Sequence, residues 1–424
     1  MTQTNAPVST HCHDDHDPDS MTLAQARQRM LESVAPVTGH ERLAMREALH
    51  RVLAEPVQAP IAVPGHDNAA MDGYAVRGPD LPGEGSVRLE VVGTAWAGNP
   101  FSGPVGPGEC VRIMTGAVVP KDCDTVVMQE KVRRESDQII LSAGPRTGEN
   151  VRHAGEDVQQ GQTVLEAGAA ITPARLGLLA SLGPVEVTVR RRPRVAFFST
   201  GDELTPLGQP LPPGGIYDSN RHTLFGMLTE LGVEVLDMGV IPDTRETLLA
   251  AFVDAAACAD MVISTGGVSV GEADYIRDIL DQVGRVDFWK VAIKPGRPLA
   301  FGRVGDAVFV GLPGNPVSAV VTFYQLVQPT LQRMMGVPEP ALPPLFPVVC
   351  QDTLKKRPGR MEFQRGVLEQ DEAGRLQVRA TLSQSSGVLS SMSEANCFIV
   401  LDMEQDRVEP GEMVQVQPFW GVMP

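Results

Sequence analysis

The stretch 260–274 limits the possible folds of this chain more than any other. A run of apolar and small residues at 261–265 leads into a glycine-rich turn, and helical spacing begins at Asp274. A strand that leads through glycines to a helix N-terminus forms an anion site, because backbone N–H groups and the helix dipole point at one spot. Glu272 and Asp274 lie on that spot, which is unusual for a simple phosphate pocket.

Strand and helix signals alternate over residues 194–335. The predicted strands are 195–199, 233–238, 261–264, 286–292 and 308–312. The predicted helices lie near 221–231, 245–257, 275–283 and 317–335. Pro329 is expected to kink or split the last helix, because proline removes a backbone donor and clashes with the preceding turn. This order of elements predicts a parallel, doubly wound sheet.

In such a sheet, ligands bind outside the carboxyl ends of the strands. The first three strands lead into carboxylates at these ends, which are Glu203, Asp243 and Asp274. The fourth strand leads into a basic loop with Lys290, Lys294, Arg297 and Pro298, and the fifth into a loop with Pro313, Gly314, Asn315 and Pro316. The last loop is expected to start a helix, with asparagine as its cap and proline at its first position.

Carboxylates beside a bound anion are unfavourable unless a cation lies between them. A divalent ion resolves this conflict, and Mg²⁺ is the default ion for oxygen ligands and phosphate. The three basic side chains of the fourth loop would hold oxyanions. Structural explanations also exist, since Asp243 and Glu246 are typical of a capping box and Asp274 can compensate a helix dipole. The functional hypothesis therefore depends on the convergence of the loops at one sheet edge.

The N-terminal part of the chain carries helix signals on both sides of a different region. Residues 1–20 are polar and are predicted to form a disordered tail. Residues 21–58 and 151–189 are predicted to pack together as one discontinuous domain. One helix is expected to start after a capping box at Thr22, and a second, short helix is expected near 43–49.

Two β domains complete the predicted organisation. Residues 59–150 are predicted to be a β domain inserted into the N-terminal domain, with Asp72 and Thr115 on two of its loops. After a proline-rich linker, residues 348–424 are predicted to form a C-terminal β domain. The fold class is therefore multidomain α/β plus β, with a central doubly wound α/β domain at 190–335.

Composition excludes several classes of function. The net charge of −16 argues against general binding of nucleic acid or anionic membranes. No apolar run is long enough to span a bilayer, and no secretory signal is visible. The 6 cysteines are scattered and form no CxxC pair, which suits a reducing cytoplasm better than a disulfide framework or a structural zinc site.

Several motifs resemble those of molybdopterin molybdenumtransferases, the MoeA proteins and the gephyrin E domain. They lie at residues 68–75, 114–117, 199–204, 216–220, 264–274, 290–298 and 312–318. The strings Gly-Gly-Val-Ser-Val-Gly-Glu-Ala-Asp and Leu-Pro-Gly-Asn-Pro-Val-Ser are long enough to be specific. The resemblance covers nearly the whole chain after residue 20.

This resemblance implies an elongated, four-domain homodimer. Its active cleft would lie between the α/β domain of one protomer and the N-terminal β domain of the other. The implied substrates are adenylylated molybdopterin and molybdate: AMP leaves, molybdenum is inserted at the pterin dithiolene, and Mg²⁺ assists. The dithiolene sulfurs belong to the substrate, so no catalytic cysteine is needed. Implied partners are the adenylyltransferase that supplies the substrate and the molybdoenzymes that accept the product.

The resemblance also implies roles for individual residues. The implied catalytic set is Asp72, Thr115, Glu203, Asp243, Asp274, Lys290 and Lys294, of which Glu203, Asp243 and Asp274 would hold the metal. The implied substrate-binding set is Arg152, Asp218, Asn220, Gly266, Gly267, Ser269, Gly271, Arg297, Pro298, Pro313, Gly314, Asn315, Pro316 and Ser386. The chain departs from the family pattern at Ala69, at Arg297 and around Ser386, where Gln-Ser-Ser-Gly replaces a common Gln-Gly-Ser-His.

Two alternative functions remain open at this stage. A related adenylyltransferase, which loads molybdopterin with AMP, has a similar α/β domain but needs neither the flanking domains nor the Asp72 loop. A non-enzymatic scaffold that binds a partner peptide, as the gephyrin E domain does, has no need for an intact acidic crevice.

Overall fold

A computed structural model describes residues 19–266, 273–340 and 344–419 of the chain, without the side chains of 273–276 and 288. Residues 1–18 of the predicted tail and residues 267–272 of the glycine-rich turn, which include Gly267, Ser269, Gly271 and Glu272, lie outside the described residues. The chain forms two compact units. One consists of Met1–Glu41, His50–Ala54 and Val189–Pro424, and the other of Arg42–Leu49 and Glu55–Thr188.

The unit formed by residues 42–49 and 55–188 is mainly β-structure. The strands of this part of the chain are β1 His40–Ala44, β2 Val57–Gln58, β3 Asn68–Ala69, β4 Gly73–Val76, β5 Ser86–Ala95, β6 Glu109–Ile113, β7 Thr125–Met128, β8 Val132–Glu135, β9 Gln138–Ser142, β10 Val151–Arg152, β11 Thr163–Leu165 and β12 Glu186–Arg190. Six of them form a sheet in the order β7-β4-β6-β5-β9-β8. Adjacent residues such as Tyr74 and Ala75 belong to different core clusters, so both sheet faces are covered.

The structure confirms some of the helices that were predicted from local sequence signals. Helix α1, Leu23–Ser33, begins with the predicted capping box, in which Thr22 and Gln25 exchange side-chain to backbone hydrogen bonds of 2.9 and 3.2 Å. Helix α2, Pro173–Ser181, follows Thr172 as its cap. The prediction of a short helix near 43–49 is wrong, because strand β1 extends to Ala44 and only a 3₁₀ turn, Met45–Ala48, follows.

The other unit is built on a six-stranded sheet with helices on both faces. Its elements are β13 Arg194–Thr200, β14 Leu204–Thr205, β15 Ile216–Tyr217, α3 Ser219–Leu231, β16 Glu234–Ile241, α4 Arg245–Cys258, β17 Met261–Thr265, α5 Ala273–Val283, β18 Gly284–Lys290, β19 Ile293–Lys294, β20 Pro298–Val304, β21 Ala307–Leu312, α6 Pro316–Thr322 and α7 Gln328–Met334. The strand order is β16-β13-β17-β21-β20-β18. Strands β16, β13, β17 and β21 are parallel.

The expectation of a fully parallel sheet is wrong. Strand β20 was not predicted, and it runs antiparallel to both β21 and β18. Pro298 is its first residue, a position that proline tolerates in a strand. Because β18 and β21 are both antiparallel to β20, they run in the same direction. The carboxyl end of β18 therefore lies at the same edge as the carboxyl ends of the parallel strands.

Both sheet faces are packed, as the doubly wound prediction requires. Val195 and Phe197 pack with α1, α3, α6 and α7 on one face, and Ala196 and Phe198 pack with α4 and α5 on the other. The predicted last helix is split as expected. A π-helical turn, Phe323–Val327, separates α6 from α7, and Pro329 lies in the first turn of α7.

The C-terminal strands close into a ring. They are β22 Phe346–Cys350, β23 Leu354–Lys355, β24 Met361–Gln370, β25 Leu376–Ala380, β26 Cys397–Leu401, β27 Arg407–Val408 and β28 Met413–Pro418, with helix α8 Ser390–Glu394 between β25 and β26. The order β24-β25-β22-β28-β26 closes through a β24–β26 pairing. We call this ring the C-terminal barrel. Strand β19 adds to it by parallel pairing with β24. Among the described residues, no helix is long and apolar enough to cross a membrane.

We expect Asp260→Asn to lower the free energy of unfolding by about 1.5–3 kcal/mol at pH 7, the range for hydrogen bonds to a charged group. Asp260, before β17, accepts three hydrogen bonds of 2.7 Å, two from the Arg191 guanidinium and one from the Arg194 backbone. Burial alone would raise the pKa of Asp260, but these hydrogen bonds dominate and lower it. The stabilisation is therefore present above the ordinary aspartate pKa of about 3.9 and is lost as pH falls through the lowered pKa.

Denaturant unfolding between pH 3 and pH 7 measures this effect. The difference in the free energy of unfolding between the wild-type protein and Asp260→Asn should become smaller toward pH 3. Glu234→Gln is the control, because its ion pair with Arg194 is about half exposed on both sides. That variant should change the free energy of unfolding by less than about 1 kcal/mol. A gap that is independent of pH would contradict the assignment.

Candidate functional site

Three segments meet at the Asn220 side chain on the carboxyl edge of the α/β sheet. Its Nδ2 donates to the Thr265 Oγ1 at 3.1 Å and to the Gly314 carbonyl at 2.7 Å. Asn220 lies in the first turn of α3, Thr265 ends β17, and Gly314 belongs to the loop after β21. A single amide therefore holds the glycine-rich turn and the Pro313–Pro316 loop next to the start of α3.

The first glycine of the turn has no room for a side chain. Gly266 has φ of +95°, and a Cβ atom there would lie 2.5 Å from the Thr200 carbonyl oxygen at the end of β13. Gly314 is close as well, since its Cβ position is 3.8 Å from the Gly266 Cα. Helix α5 begins at Ala273, so Asp274 lies in its first turn. The side chain of Asp274 is not among the described parts of the structure.

Asp218 caps α3 and is nearly fully buried. Its Oδ1 accepts from the Arg221 backbone N–H at 3.0 Å, and its Oδ2 has no hydrogen-bond partner among the described residues. Asp218 lines a cavity of about 130 Å³ together with Arg221 and His222. Ligand pockets usually measure about 300 Å³ or more, so this cavity alone does not hold a pterin nucleotide.

Acidic side chains gather where β13 and β16 end. Burial raises the pKa of Asp243, and the nearby charges of Asp202 and Glu203 raise it further. The Asp243 Oδ1 is buried and has no hydrogen-bond partner among the described residues. Glu203 and Asp202 are exposed. The three carboxylates therefore repel one another, and the buried oxygen of Asp243 is available to a cation or a hydrogen-bond donor.

The capping-box interpretation of Asp243 and Glu246 is wrong. The cap of α4 is Thr244, whose Oγ1 accepts from the Thr247 backbone N–H at 3.3 Å. Capping therefore does not explain why a carboxylate occupies position 243. Among the described residues, no three His, Cys, Asp or Glu side chains converge as a metal-binding group. Mg²⁺ commonly takes one or two carboxylates plus substrate phosphates, and the unpartnered Asp243 oxygen fits such a partial ligand set.

The basic loop after β18 is a hairpin whose two ends face each other. Lys290 ends β18 and pairs with Pro298 at the start of β20. The backbone of Met21 pairs with this loop, since its N–H donates to the Lys290 carbonyl at 2.8 Å. The side chain of Lys290 is exposed. The Arg297 carbonyl accepts a hydrogen bond of 2.8 Å from the Val291 N–H.

The far part of this lysine loop, residues 290–298, is fixed by packing. Gly296 has φ of +108°, and a Cβ atom there would lie 2.7 Å from the Thr322 Oγ1 of α6. The Lys294 Nζ lies 3.3 and 3.2 Å from the two carboxylate oxygens of Glu362 on β24. Lys294 is thus held beside the C-terminal barrel, although about half of its side chain remains exposed.

The loop around Ser386 reaches the start of α6. The Ser386 carbonyl accepts from the Val317 N–H at 3.1 Å. The guanidinium of Arg365 on β24, itself buried, supports this loop by donating to the Ser385 carbonyl at 3.1 Å. Burial lowers the pKa of Arg365 to about 10. Asn315 occupies the cap position of α6, but its side chain makes no capping hydrogen bond, contrary to expectation.

In the other unit, Asp72, Thr115 and Arg152 lie on neighbouring segments. The Asp72 Oδ1 accepts hydrogen bonds of 2.7 Å from both the backbone N–H and the Oγ1 of Thr115. These two bonds, the side-chain one first, lower the pKa of Asp72. Arg152 on β10 pairs with Asn68 on β3, at the start of the Asp72 loop. The Asp72 carboxylate is therefore ionised and oriented by its own unit.

Three family models match successive parts of the chain. They are the MoeA N-terminal region (domain I and II) at residues 21–183, a probable molybdopterin binding domain at 196–333 and the MoeA C-terminal region (domain IV) at 347–419. The chain is 48% identical to the molybdopterin molybdenumtransferase of Haemophilus influenzae, over 94% of this chain and 98% of that protein. The chain belongs to the molybdopterin molybdenumtransferase family.

Other molybdopterin molybdenumtransferases agree with this assignment. The protein of that name from a Nostoc species is 38% identical over 86% of both chains. The crystal structure of the molybdopterin biosynthesis MoeA protein from Pyrococcus horikoshii matches with a TM-score of 0.82 at 28% identity, over 94% of this chain and 100% of that one. The multidomain fold class is thereby confirmed.

The sequence analysis missed three charged residues near the predicted site. Asp202 adjoins the predicted Glu203, while Glu362 and Arg365 lie on a barrel strand. Asp202 carries a weak sequence signal, because it follows the same strand end. Glu362 and Arg365 lie in a strand that also contains Gln364, Glu369 and Gln370, so the sequence does not distinguish them. A buried charge needs a partner, which sequence spacing does not reveal.

We expect Gly266→Ala to destabilise the protein more than Gly232→Ala. Both glycines have positive φ, but a Cβ at Gly232, after α3, meets no atom within 4 Å. Gly232→Ala should therefore cost only the conformational strain of about 1–2 kcal/mol. Gly266→Ala adds a clash with backbone that must move, so its cost should exceed that of Gly232→Ala and the turn should be displaced. Denaturant unfolding and binding of molybdopterin measure the two effects; equal costs would contradict the close packing of Gly266.

Proposed function

We propose that this protein inserts molybdenum into molybdopterin during molybdenum cofactor biosynthesis. The substrates are adenylylated molybdopterin and molybdate, and AMP is released. The observation that carries this proposal is the 48% identity, over 94% of the chain, to a protein named molybdopterin molybdenumtransferase. The site supports it, because carboxylates, a glycine turn and a lysine loop follow the carboxyl ends of one sheet.

The residues of the proposed site form two groups, an acidic side and a basic side. The Gly266 turn and the Gly314 loop, linked through Asn220, leave backbone groups for the pterin phosphate at the starts of α5 and α6. On the basic side, Lys290, Lys294 and Arg297 bind oxyanions. The remaining proposed contacts come from Asp218 at the cap of α3, from Ser386 in the C-terminal barrel and from further residues of these loops, namely Gly267, Ser269, Gly271, Pro298, Pro313, Asn315 and Pro316.

On the acidic side, Asp243 and Glu203 hold Mg²⁺, and Asp274 is the third proposed ligand. Bound there, Mg²⁺ would neutralise charge on the phosphoanhydride while it is cleaved. The raised pKa of Asp243 fits this role, because its charge is unfavourable until a cation is present.

We further propose that the protein acts as a homodimer in the cytoplasm. Asp72, Thr115 and Arg152 of one protomer would complete the cleft of the other. We also retain the domain limits that the sequence analysis predicts. The described cysteines support a reducing compartment, because Cys110, Cys123, Cys258, Cys350 and Cys397 are all free thiols. The adenylyltransferase and the acceptor molybdoenzymes remain the proposed partners.

The adenylyltransferase alternative is less well supported. It requires only the α/β domain, whereas the matches to MoeA N- and C-terminal regions extend over 21–183 and 347–419. A peptide-binding scaffold has no need for a partly buried carboxylate such as Asp243, one oxygen of which has no hydrogen-bond partner among the described residues. Incubation with adenylylated molybdopterin, Mg²⁺ and molybdate should release AMP and leave molybdenum bound to the product. If AMP formation requires ATP, this result would instead favour the adenylyltransferase.

We expect Asp274→Ala to abolish molybdate-dependent AMP release, by at least about 100-fold, because the site loses a charge that stabilises the bound cation. The fold and the oligomeric state should be unchanged in thermal unfolding and light scattering. Asp254→Ala, an exposed aspartate on α4, is the matched control and should retain wild-type turnover. Normal AMP release by folded Asp274→Ala would remove this residue from the catalytic set.

A further inference from the structure

A buried carboxylate contacts the proposed oxyanion site. Lys294 and Glu362 are direct partners in the parallel pairing of β19 with β24. Both Glu362 oxygens lie 3.2–3.3 Å from the Lys294 Nζ. The side chain of Glu362 is 7% exposed, whereas that of Lys294 is 48% exposed. One side of the ammonium group is thus occupied by a carboxylate, and the other side is open.

Glu362 is a fixed charge and not a mobile surface group. Its Oε1 also accepts a hydrogen bond of 3.1 Å from the Nε2 of Gln364, which is itself buried. The charge of Glu362 acts on the buried guanidinium of Arg365 as well. A buried carboxylate is tolerated only when it is paired, so these contacts stabilise the Glu362 carboxylate in its place beside the lysine.

We propose that Glu362 is a positioning residue that sets the affinity of Lys294 for the oxyanion substrate. This inference rests on the proposed function, in which Lys294 binds molybdate. The Glu362 carboxylate orients the Lys294 ammonium group. It also repels a dianion that binds to the same ammonium group. The weakened binding allows the oxyanion to leave the lysine loop for the pterin dithiolene.

The two effects of Glu362 oppose each other, and their sizes decide the outcome. Orientation of the Lys294 side chain strengthens oxyanion binding only by the rotamer entropy that this side chain would otherwise lose on binding. Repulsion between a carboxylate and a dianion on the same ammonium group acts over a few ångströms, where Coulomb energies remain large even at an effective dielectric constant of about 20. The repulsion should therefore dominate, and removal of the Glu362 charge should strengthen oxyanion binding.

Glu362→Gln tests this inference because it removes the charge and retains an oxygen acceptor for Lys294. With molybdate alone as the probe, equilibrium dialysis of the full chain should give about tenfold tighter binding. The KM for molybdate should fall while kcat does not rise. Glu149→Gln is the matched control, since it removes the same charge from the Lys131–Glu149 ion pair of the other unit. This control should bind molybdate as the wild-type protein does.

Unchanged or weaker binding by Glu362→Gln would overturn the inference, because a merely structural role cannot increase affinity. If thermal unfolding shows that this variant is not folded, Glu362→Asp replaces it. Aspartate retracts the carboxylate by one methylene group, so binding should tighten by about two- to threefold. The absence of tightening in folded Glu362→Asp would overturn the inference equally.

Lys294→Gln separates this inference from the proposed function. It should weaken molybdate binding at least tenfold if the lysine holds the oxyanion. If binding is unaffected, both the proposed oxyanion site and the role of Glu362 are wrong. If Lys294→Gln weakens binding and Glu362→Gln does not strengthen it, only the role of Glu362 is wrong.

Discussion

The antiparallel placement of β20 determines where the basic side chains of this protein lie. Because β18 and β20 are neighbours, the chain between Lys290 and Pro298 is a hairpin that remains at one sheet edge. A parallel crossover would have carried the chain to the opposite edge through a helix. The hairpin is also long enough for β19 to pair with β24, which attaches it to the C-terminal barrel. The lysine loop is consequently positioned by two sheets.

This strand also shows the limit of prediction from the sequence. The inner strands were predicted because continuous apolar runs between helical segments identify buried parallel strands. Strand β20 was missed because Pro295, Arg297 and Pro298 have the composition of a loop. Proline at the first position of a strand is compatible with pairing, but sequence spacing alone does not distinguish it from a turn.

The same limit applies to the charged residues. The strand ends predicted that Glu203 and Asp243 lie near each other, and in the structure burial raises the pKa of Asp243 and the charge of Glu203 raises it further, by a smaller effect. The local pattern at α4 predicted Asp243 as the cap, whereas the cap in the structure is Thr244. Glu362 lies 68 residues from Lys294 in sequence, so no local spacing could link them. Pairing between distant charges depends on tertiary contacts, whereas capping and alternation depend on neighbours.

The two sides of the proposed crevice handle charge differently. On the acidic side, the Asp243 carboxylate is partly buried near two like charges and keeps one oxygen without a partner among the described residues. That arrangement costs free energy in the folded protein until a cation binds. On the basic side, Lys294 already has its counter-ion in Glu362.

The net charge of −16 does not decide how the proposed crevice binds its ligands. Beyond a screening distance of about 10 Å, the protein repels anionic substrates weakly or not at all, so their capture depends on local hydrogen bonds. A lysine with a built-in carboxylate binds a dianion less tightly than an isolated lysine would. Carboxylates that repel one another bind a cation more tightly than a carboxylate that already has a counter-ion. In the proposed function, the site therefore retains its cation and exchanges its oxyanion.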